Sequence, residues 1–136
     1  MNYVLDSWAI LAWLQDERPA ADVVDDVLSN TKPGDIAMSR INAGEAFYVT
    51  AKTHSLDDAR RVRSVLEKMP VELLSVTDDL VWGAARLKAH HALSYADAVA
   101  AALSLERDAV LLTGDREFTA LVDAEGLVVE WLHRDE

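Results

Sequence analysis

Two carboxylates stand within two residues of the ends of apolar segments that have the composition of buried β-strands. Asp6 follows Tyr3-Val4-Leu5, and Asp115 follows the apolar run over 109–113. When strands lie parallel, their carboxyl ends meet at one edge of the sheet, where α/β proteins bind their ligands. The spacing therefore predicts that Asp6 and Asp115 lie at the same edge.

Two further carboxylates lie in helical segments whose other residues are small or apolar. Glu45 shares a helix face with Ile41, Tyr48 and Val49, so we expect it on an apolar stripe rather than a wet face. Asp97 lies near the start of an alanine-rich helix predicted over 94–108. A helix this small and apolar is usually packed on all sides, so a carboxylate within it needs a partner.

Four carboxylates gathered in one place predict a metal-assisted reaction. Two carboxylates ~4 Å apart repel by roughly 4 kcal/mol at an effective dielectric constant of about 20, so a cluster stays ionised only with bound cations. Oxygen ligands select hard ions such as Mg²⁺ or Mn²⁺. Such an ion lowers the pKa of a bound water, holds a phosphate and neutralises the leaving oxygen, which favours phosphodiester hydrolysis.

Each acid, taken alone, also has a purely structural interpretation. Asp97 follows Ser94 at capping-box spacing, and Asp115 can cap a short helix. Asp6 can belong to a turn at the end of its strand, and Glu45 can pair with a nearby lysine or arginine. It is the occurrence of all four acids together that favours a metal site.

Short apolar strands alternate with longer helical segments along the chain. Predicted strands cover 3–5, 35–38, 71–76, 109–113 and 127–132, and predicted helices cover 7–17, 19–30, 40–54, 77–91, 94–108 and 115–122, with another that begins at 55. Continuous apolar strands between helices indicate parallel strands buried on both faces. We therefore predict one domain over 1–136, an α/β three-layer α/β/α sandwich around a central, mostly parallel sheet of about five strands.

The overall composition excludes several classes of protein. A chain of 136 residues that is 51% hydrophobic fits one folded domain rather than a disordered segment. Because it has no cysteine, it has no disulfide, zinc–thiolate site or thiol nucleophile. It has no apolar run of membrane-spanning length, so we expect a soluble, cytoplasmic protein. The formal net charge of -11 repels a polyanionic partner unless bound cations offset it.

Four short motifs occur in an order that characterises one nuclease family. They are Val4-Leu5-Asp6-Ser7, Asn42-Ala43-Gly44-Glu45, Tyr95-Ala96-Asp97-Ala98 and Leu112-Thr113-Gly114-Asp115-Arg116-Glu117-Phe118. With these motifs the chain resembles the PIN-domain nucleases, and among them the VapC-type toxins of toxin–antitoxin pairs. The resemblance extends over essentially the whole chain, from Asp6 to the last predicted strand.

This resemblance implies a metal site and assigns residues to it. The family's acidic quartet, which binds Mg²⁺ or Mn²⁺, is matched by Asp6, Glu45, Asp97 and Asp115. Asp6 and Asp97 are then the most direct ligands and Asp115 the next, while Glu45 holds or orients a water molecule. The polar residues that surround the quartet in the family are matched by Ser7, Asn42 and Thr113. The chain departs from the family at Gly114, where a glycine relaxes the loop that carries Asp115.

The resemblance also implies an RNA substrate and protein partners. Family members are endoribonucleases for single-stranded RNA and are usually homodimers. They are silenced by an antitoxin, here of the VapB type, whose C-terminal segment reaches the acidic groove, and larger toxin–antitoxin assemblies are a further expected form.

One segment of the chain carries the opposite charge from the rest. Residues 40–68 contain six basic and four acidic residues. We expect RNA to enter over the basic residues of this segment, Arg40, Lys52, Arg60, Arg61 and Arg63. For the last three, solvation of an exposed helix is the alternative.

Several other residues that attract attention favour ordinary structural roles. The four tryptophans, Trp8, Trp13, Trp82 and Trp131, are interpreted as core or interface residues rather than platforms for bases. His90 and His91 form no zinc site with a third ligand, and at the end of a helix they complement its dipole.

Two other functions stay open at this point. One is a phosphatase or receiver-like protein with Asp6 as an aspartyl nucleophile. It needs a second acid beside Asp6 and a lysine after a late strand, but Ser7 and Trp8 supply no acid and no lysine follows Lys88. The other is a non-catalytic module that keeps the metal and uses the groove to hold a partner. Four mutually repelling acids favour catalysis over this second alternative.

Overall fold

Five short strands form one parallel sheet in the computed structural model, which describes residues 1–135. In chain order they are β1 (Tyr3–Leu5), β2 (Ile36–Ser39), β3 (Glu72–Leu74), β4 (Val110–Thr113) and β5 (Val129–Trp131). Their order across the sheet is β3-β2-β1-β4-β5, and every neighbouring pair is parallel. The predicted parallel sheet of five strands is confirmed. Glu136, the last residue of the predicted domain, lies outside the described residues.

Seven α-helices connect and cover these strands within the described residues. They are α1 (Ser7–Leu14), α2 (Ala20–Asn30), α3 (Arg40–Thr53), α4 (Leu56–Lys68), α5 (Asp78–His90), α6 (Tyr95–Arg107) and α7 (Thr119–Glu125). Short 3-10 turns occupy Pro33–Asp35 and Arg116–Phe118. The alternation of strands and helices therefore follows the predicted pattern.

Two predicted helices have wrong bounds, and local geometry explains where the first one ends and how the second one, which extends to Glu125, begins. The first helix ends at Leu14 rather than at residue 17, because Asp16 adopts a left-handed conformation with φ of 53° that an α-helix cannot continue. The helix predicted over 115–122 begins instead as a 3-10 turn. The Asp115 side chain accepts the backbone N–H of Glu117 and so caps a tighter turn before α7 starts.

Helix starts are encoded by hydroxyl side chains at the N-cap. In four helices a serine or threonine oxygen accepts the backbone N–H three residues later. The pairs are Ser39 with Asn42, Ser55 with Asp58, Thr77 with Leu80 and Ser94 with Asp97. Because Ser39 also ends β2, α3 leaves the sheet immediately at the carboxyl edge.

The sheet separates two hydrophobic cores, as a three-layer sandwich requires. On β1, Val4 packs in the core formed with α5, α6 and α7, while the next residue, Leu5, packs in the core formed with α1, α2, α3 and α4. On β4, Leu111 and Leu112 divide between the cores in the same way. Successive strand residues point to opposite faces, so both faces of a central strand must be apolar.

The strand order places a crevice at the centre of the sheet. From β1 the chain moves outward to β2 and β3, then returns to the other side of β1 for β4 and β5. Connections leave the carboxyl ends of β1 and β4 toward opposite sides, which is the position where open α/β sheets bind ligands. No helix within residues 1–135 has the length and apolarity needed to cross a membrane.

Candidate metal centre

The structure brings the four predicted acids together at this crevice. Asp6 directly follows β1 and caps α1, and Asp115 follows β4. Asp97 lies in the first turn of α6, and Glu45 lies in the second turn of α3. The charges of the neighbouring acids raise the pKa of two members of the group. Asp97 and Asp115 raise the pKa of Asp6, and Asp115 and Glu45 raise that of Asp97.

Asp6 is the most deeply buried of the four acids, with 1% of its surface exposed. Its Oδ1 accepts the backbone N–H of Ala9 at 2.9 Å, and its Oδ2 accepts the Thr113 hydroxyl at 2.5 Å. Burial raises the pKa of Asp6 to about 7, and the nearby charges of Asp97 and Asp115 act in the same direction. The two hydrogen bonds oppose this rise only in part. Asp6 is thus both a helix cap and a member of the acidic cluster.

Asp97 and Asp115 are joined by a third acid, Glu117. One carboxylate oxygen from each of the three lies within 4.8 Å of the others, which is close enough for a shared cation. Burial raises the pKa of Asp97 to about 7, and the charges of Asp115 and Glu45 add to the effect. Glu117 was missed as a site residue in the sequence. The available signal was its position two residues after Asp115, in the first turn of the helix predicted over 115–122.

Glu45 occupies a different environment from the one predicted. The expected apolar stripe was wrong, because Ile41 and Tyr48 are 47% and 55% exposed, and α3 buries another face. That buried face carries Asn42, Ala46 and Thr50. Glu45 is half-buried at the boundary of the two faces and accepts a hydrogen bond from the Ser7 hydroxyl. This contact ties Glu45 to the residue that follows Asp6.

The remaining predicted polar residues, Asn42 and Thr113, each contact the acidic cluster or its supporting backbone. Asn42 donates from Nδ2 to the carbonyl of Ala96 at 3.1 Å, which joins α3 to the residue before Asp97. The Thr113 hydroxyl oxygen donates to Asp6 and accepts the backbone N–H of Asp115 at 3.1 Å. The sequence motifs therefore meet through polar contacts as well as through the acids.

The predicted basic face divides into two groups. Arg60, Arg61 and Arg63 are exposed, and each pairs with an acid of its own helix, Asp57, Asp58 and Glu67 respectively. Such exposed pairs contribute little to stability, but they reduce the positive field outside the helix. Arg40 and Lys52 on α3 are exposed, and neither forms an ion pair within residues 1–135.

His91 makes a specific contact rather than only complementing a helix dipole. Its Nε2 lies 2.9 Å from Glu125 Oε2, and Arg86 reaches the other oxygen of Glu125 at 3.0 Å. These contacts join α5 and its C-cap to the end of α7 and lower the pKa of Glu125. Among the tryptophans, Trp82 was expected in a core or interface, and it is 72% exposed in this chain.

The donor set fits a hard divalent cation. Every candidate ligand is a carboxylate oxygen, the type that Mg²⁺ and Mn²⁺ prefer. Across residues 1–135, no lysine, arginine or histidine forms an ion pair with any acid of the cluster. Burial first, and then the charges of the neighbouring acids, raise the pKa values of Asp6 and Asp97.

A family comparison and several solved structures match this chain. The family model for the PIN domain matches residues 3–123. A chain in the crystal structure of VapBC2 from Rickettsia felis, bound to a promoter DNA fragment, is similar with a TM-score of 0.75 and 16% identity, over 98% of this chain and 100% of that one. No curated protein sequence matches.

Two further structures show the same likeness. VapC20 from Mycobacterium tuberculosis, described as a Sarcin-Ricin loop cleaving toxin, has a TM-score of 0.73 and 16% identity, over 88% of this chain and 94% of that one. VapBC-1 from nontypeable Haemophilus influenzae has a TM-score of 0.72 and 23% identity, over 96% of this chain and 98% of that one. At these identities the structures establish a shared fold.

Proposed function

Because this chain belongs to the PIN-domain family, we propose that it is a Mg²⁺-dependent endoribonuclease and the toxin of a type II toxin–antitoxin pair. The observation that carries the proposal is the uncompensated grouping of Asp6, Glu45, Asp97 and Asp115 at the carboxyl edge of β1 and β4. Residues 1–136 are then one nuclease domain that acts in the cytoplasm, and Mn²⁺ is the alternative ion.

The acids have different proposed roles, which follow from their positions in the site. Asp6, Asp97 and Asp115 would hold the cation, and Glu117, whose carboxylate lies within 4.8 Å of those of Asp97 and Asp115, would add a fourth oxygen ligand from the exposed side. A bound divalent ion supplies Lewis-acid activation of water and neutralises charge at the phosphate. Glu45 receives the Ser7 hydroxyl on Oε1, so its other oxygen is available to accept a proton or hydrogen bond from the attacking water.

The chain's own cations then guide the RNA strand. Arg40 and Lys52 contribute most to this proposed RNA path, because no acid of the described chain neutralises them. Arg60 and Arg61 contribute less, since each is already paired on α4. Arg40 also lines a groove beside α3 together with Gly44, the residue next to Glu45.

A protein partner is proposed because of the same charge pattern. An antitoxin of the VapB type would place basic groups in the acidic crevice, which would neutralise the cluster and block RNA. The similar structures from Rickettsia felis and Haemophilus influenzae, named as VapBC structures, support such a partner. We also propose a homodimer, alone or within a larger toxin–antitoxin assembly, which light scattering on the purified chain would test.

The deciding experiment is cleavage of labelled total RNA with Mg²⁺, with Mn²⁺ and with EDTA. Wild-type protein should give discrete products only with a metal, and Asp6→Asn and Asp97→Asn should give none. Asp26→Asn is the matched control, because Asp26 lines a cleft with Tyr3 and Asp35 at the opposite, amino-terminal edge of the sheet. Its products should equal those of the wild type.

Two results would contradict the proposal. Cleavage by Asp97→Asn at the wild-type rate would remove that residue from the site. If folded wild type binds Mn²⁺ but cleaves no RNA from a total pool, the non-catalytic binding module becomes the better assignment.

A further inference from the structure

The Trp8 indole lies directly against the backbone of Gly114, in the loop that carries Asp115. A Cβ atom added at Gly114 would lie 2.3 Å from Cη2, 2.4 Å from Cζ2 and 2.6 Å from Cε2 of Trp8. Real Cβ atoms do not approach ring atoms so closely, so only glycine fits beside this side chain. Gly114 was predicted to relax the loop, and its lack of a side chain also permits this close contact with Trp8.

Trp8 is itself held by the C-terminal segment. The Arg134 guanidinium lies 5.1 Å from the centre of the Trp8 ring, within the range of a cation–π contact. Arg134 also pairs with Glu17 at 3.2 Å, and its backbone forms a bridge to Pro19. The indole is half-buried and packs in the core beside α1. The Trp8 ring is therefore held in place by its own contacts and can restrain the loop that packs on it.

Gly114 lies between Thr113, which contacts the acidic cluster, and Asp115, which belongs to it. On one side, Thr113 bonds Asp6, and on the other side Asp115 donates its backbone N–H back to the Thr113 hydroxyl. A glycine has more accessible backbone conformations than any other residue. Without a side chain packed against it, the backbone at Gly114 would be free to move Asp115 away from the cluster. Contact with Trp8 removes that freedom.

We propose that Trp8 is a positioning residue that holds the 113–115 loop, and hence Asp115, against the acidic cluster. It does so from the first turn of α1, which also supplies Asp6 as a site acid and Ser7 as the partner of Glu45. One helical turn thereby sets the positions of three acids. The structural contact stands by itself, while its effect on a metal rests on the proposed function.

Amide hydrogen exchange tests the positioning role directly. In Trp8→Ala the N–H groups of Asp115 and Glu117, which bond to Thr113 and to Asp115, should exchange about tenfold faster than in the wild type. The amide of Asn42, bonded to Ser39 at the start of α3 and distant in sequence from the substitution, should keep its wild-type rate. Trp8→Phe keeps a flat ring beside Gly114 and should restore slow exchange at both loop amides.

Trp13→Ala is the matched control for a general loss of packing. Trp13 lies on the same helix, is half-buried in the same core and bonds Asp25 at 2.6 Å, away from the loop. It should leave exchange at Asp115 unchanged. If Trp13→Ala speeds exchange there as much as Trp8→Ala does, or if folded Trp8→Ala leaves it unchanged, the positioning role is wrong.

A size exchange provides a second test that survives if Trp8→Ala does not fold. Gly114→Ala alone should speed loop exchange, because the new methyl group collides with the indole. Gly114→Ala combined with Trp8→Leu should recover part of the loss. An additive worsening in the double variant would overturn the proposed contact.

Mn²⁺ titration then connects the loop to the proposed metal site. Trp8→Ala should weaken Mn²⁺ binding by about 10-fold to 100-fold, as loss of a supporting residue usually does. In an Asp115→Asn background the same change should have little further effect, because Trp8 acts through Asp115. Fast loop exchange with no Mn²⁺ binding even by wild type would leave the positioning role intact and contradict the proposed function instead.

Discussion

The Thr113 hydroxyl donates a hydrogen bond to Asp6 Oδ2 at 2.5 Å, although the two residues lie 107 positions apart in the sequence. The same oxygen accepts the backbone N–H of Asp115 at 3.1 Å. Thr113 thus joins the ends of β1 and β4 and sets the distance between two acids of the proposed metal centre. The Thr113 side chain is fully buried, so we expect removal of its hydroxyl to affect metal binding at the proposed centre.

Thr113→Val should weaken the proposed centre without emptying space in the core, because valine has nearly the same shape. Loss of the hydroxyl leaves Asp6 with one hydrogen bond fewer and frees the Asp115 amide, so Mn²⁺ affinity and RNA cleavage should fall by about 10-fold to 100-fold. Calorimetric titration and cleavage rates measure the two effects. Thr113→Ser keeps the hydroxyl and should stay near wild type; an equal loss in the serine variant would point to packing instead.

The metal-free protein should lose stability as the pH rises. Asp6 and Asp97 have pKa values raised to about 7, so the folded chain binds their protons more tightly than the unfolded chain, whose values lie near 3.8. Their stabilising contribution is present in full below pH 4 and is lost as the pH rises toward 7. Asp97→Asn should therefore raise the free energy of unfolding at pH 8 by on the order of 2 kcal/mol.

Urea denaturation in EDTA at pH 5, 6, 7 and 8 measures this dependence. The free energy of unfolding of the wild type should decline between pH 5 and pH 8, and that of Asp97→Asn should decline less steeply. Asp26→Asn, a change at an exposed carboxylate at the other edge, should follow the wild-type curve. A wild-type curve that rises with pH over this interval would show that the two acids are not protonated in the folded chain.

Divalent metal should reverse that loss of stability. A ligand that binds only the folded chain at 100 times its dissociation constant stabilises it by about 2.7 kcal/mol. Mn²⁺ should raise the melting temperature more at pH 8 than at pH 5, since protons compete for the carboxylates. Thermal melts with and without Mn²⁺ measure the effect, with Ca²⁺-free buffer throughout.

The acids near Asp97 should contribute unequally to this metal stabilisation. Asp115→Asn should abolish most of it, because Asp115 is half-buried beside Asp97. Glu117→Gln should reduce it by a smaller amount, because Glu117 is exposed and contributes from the open side. If Glu117→Gln binds Mn²⁺ with wild-type affinity, Glu117 is a surface acid and no ligand.

RNA binding should depend more on α3 than on α4. In the inactive Asp6→Asn background, Arg40→Ala or Lys52→Ala should weaken binding of single-stranded RNA by several-fold and reduce the slope of log affinity against log salt by about 0.7. Arg60→Ala and Arg61→Ala should have smaller effects, because acids on α4 already pair with these residues. Fluorescence anisotropy at several salt concentrations measures both quantities.

Lys32→Ala provides the control for a general change of charge. Lys32 lines the cleft at the amino-terminal edge with Tyr3, far along the strands from the acids. An effect of Lys32→Ala equal to that of Arg40→Ala would mean that the RNA is held by overall charge and not by a defined path.

Local signals in the sequence determined the elements and the identity of the main acids. Four helix starts could be predicted because an N-cap contact spans only three residues. The N-cap residues are Ser39, Ser55, Thr77 and Ser94. Apolar runs predicted strands buried on both faces, and parallel strands in turn predicted that Asp6 and Asp115 share an edge. These inferences depend on contacts near in sequence or on general rules of sheet geometry.

Only the tertiary structure decided how distant side chains meet. The sequence could not show that α3 buries Asn42 and Ala46 and leaves Ile41 exposed, because the choice of face depends on which helices lie beside it. Nor could it show that Trp8 packs on Gly114, since that contact joins α1 to a loop more than a hundred residues later. Local chemistry thus sets which residues are available, and packing between distant elements decides which of them touch.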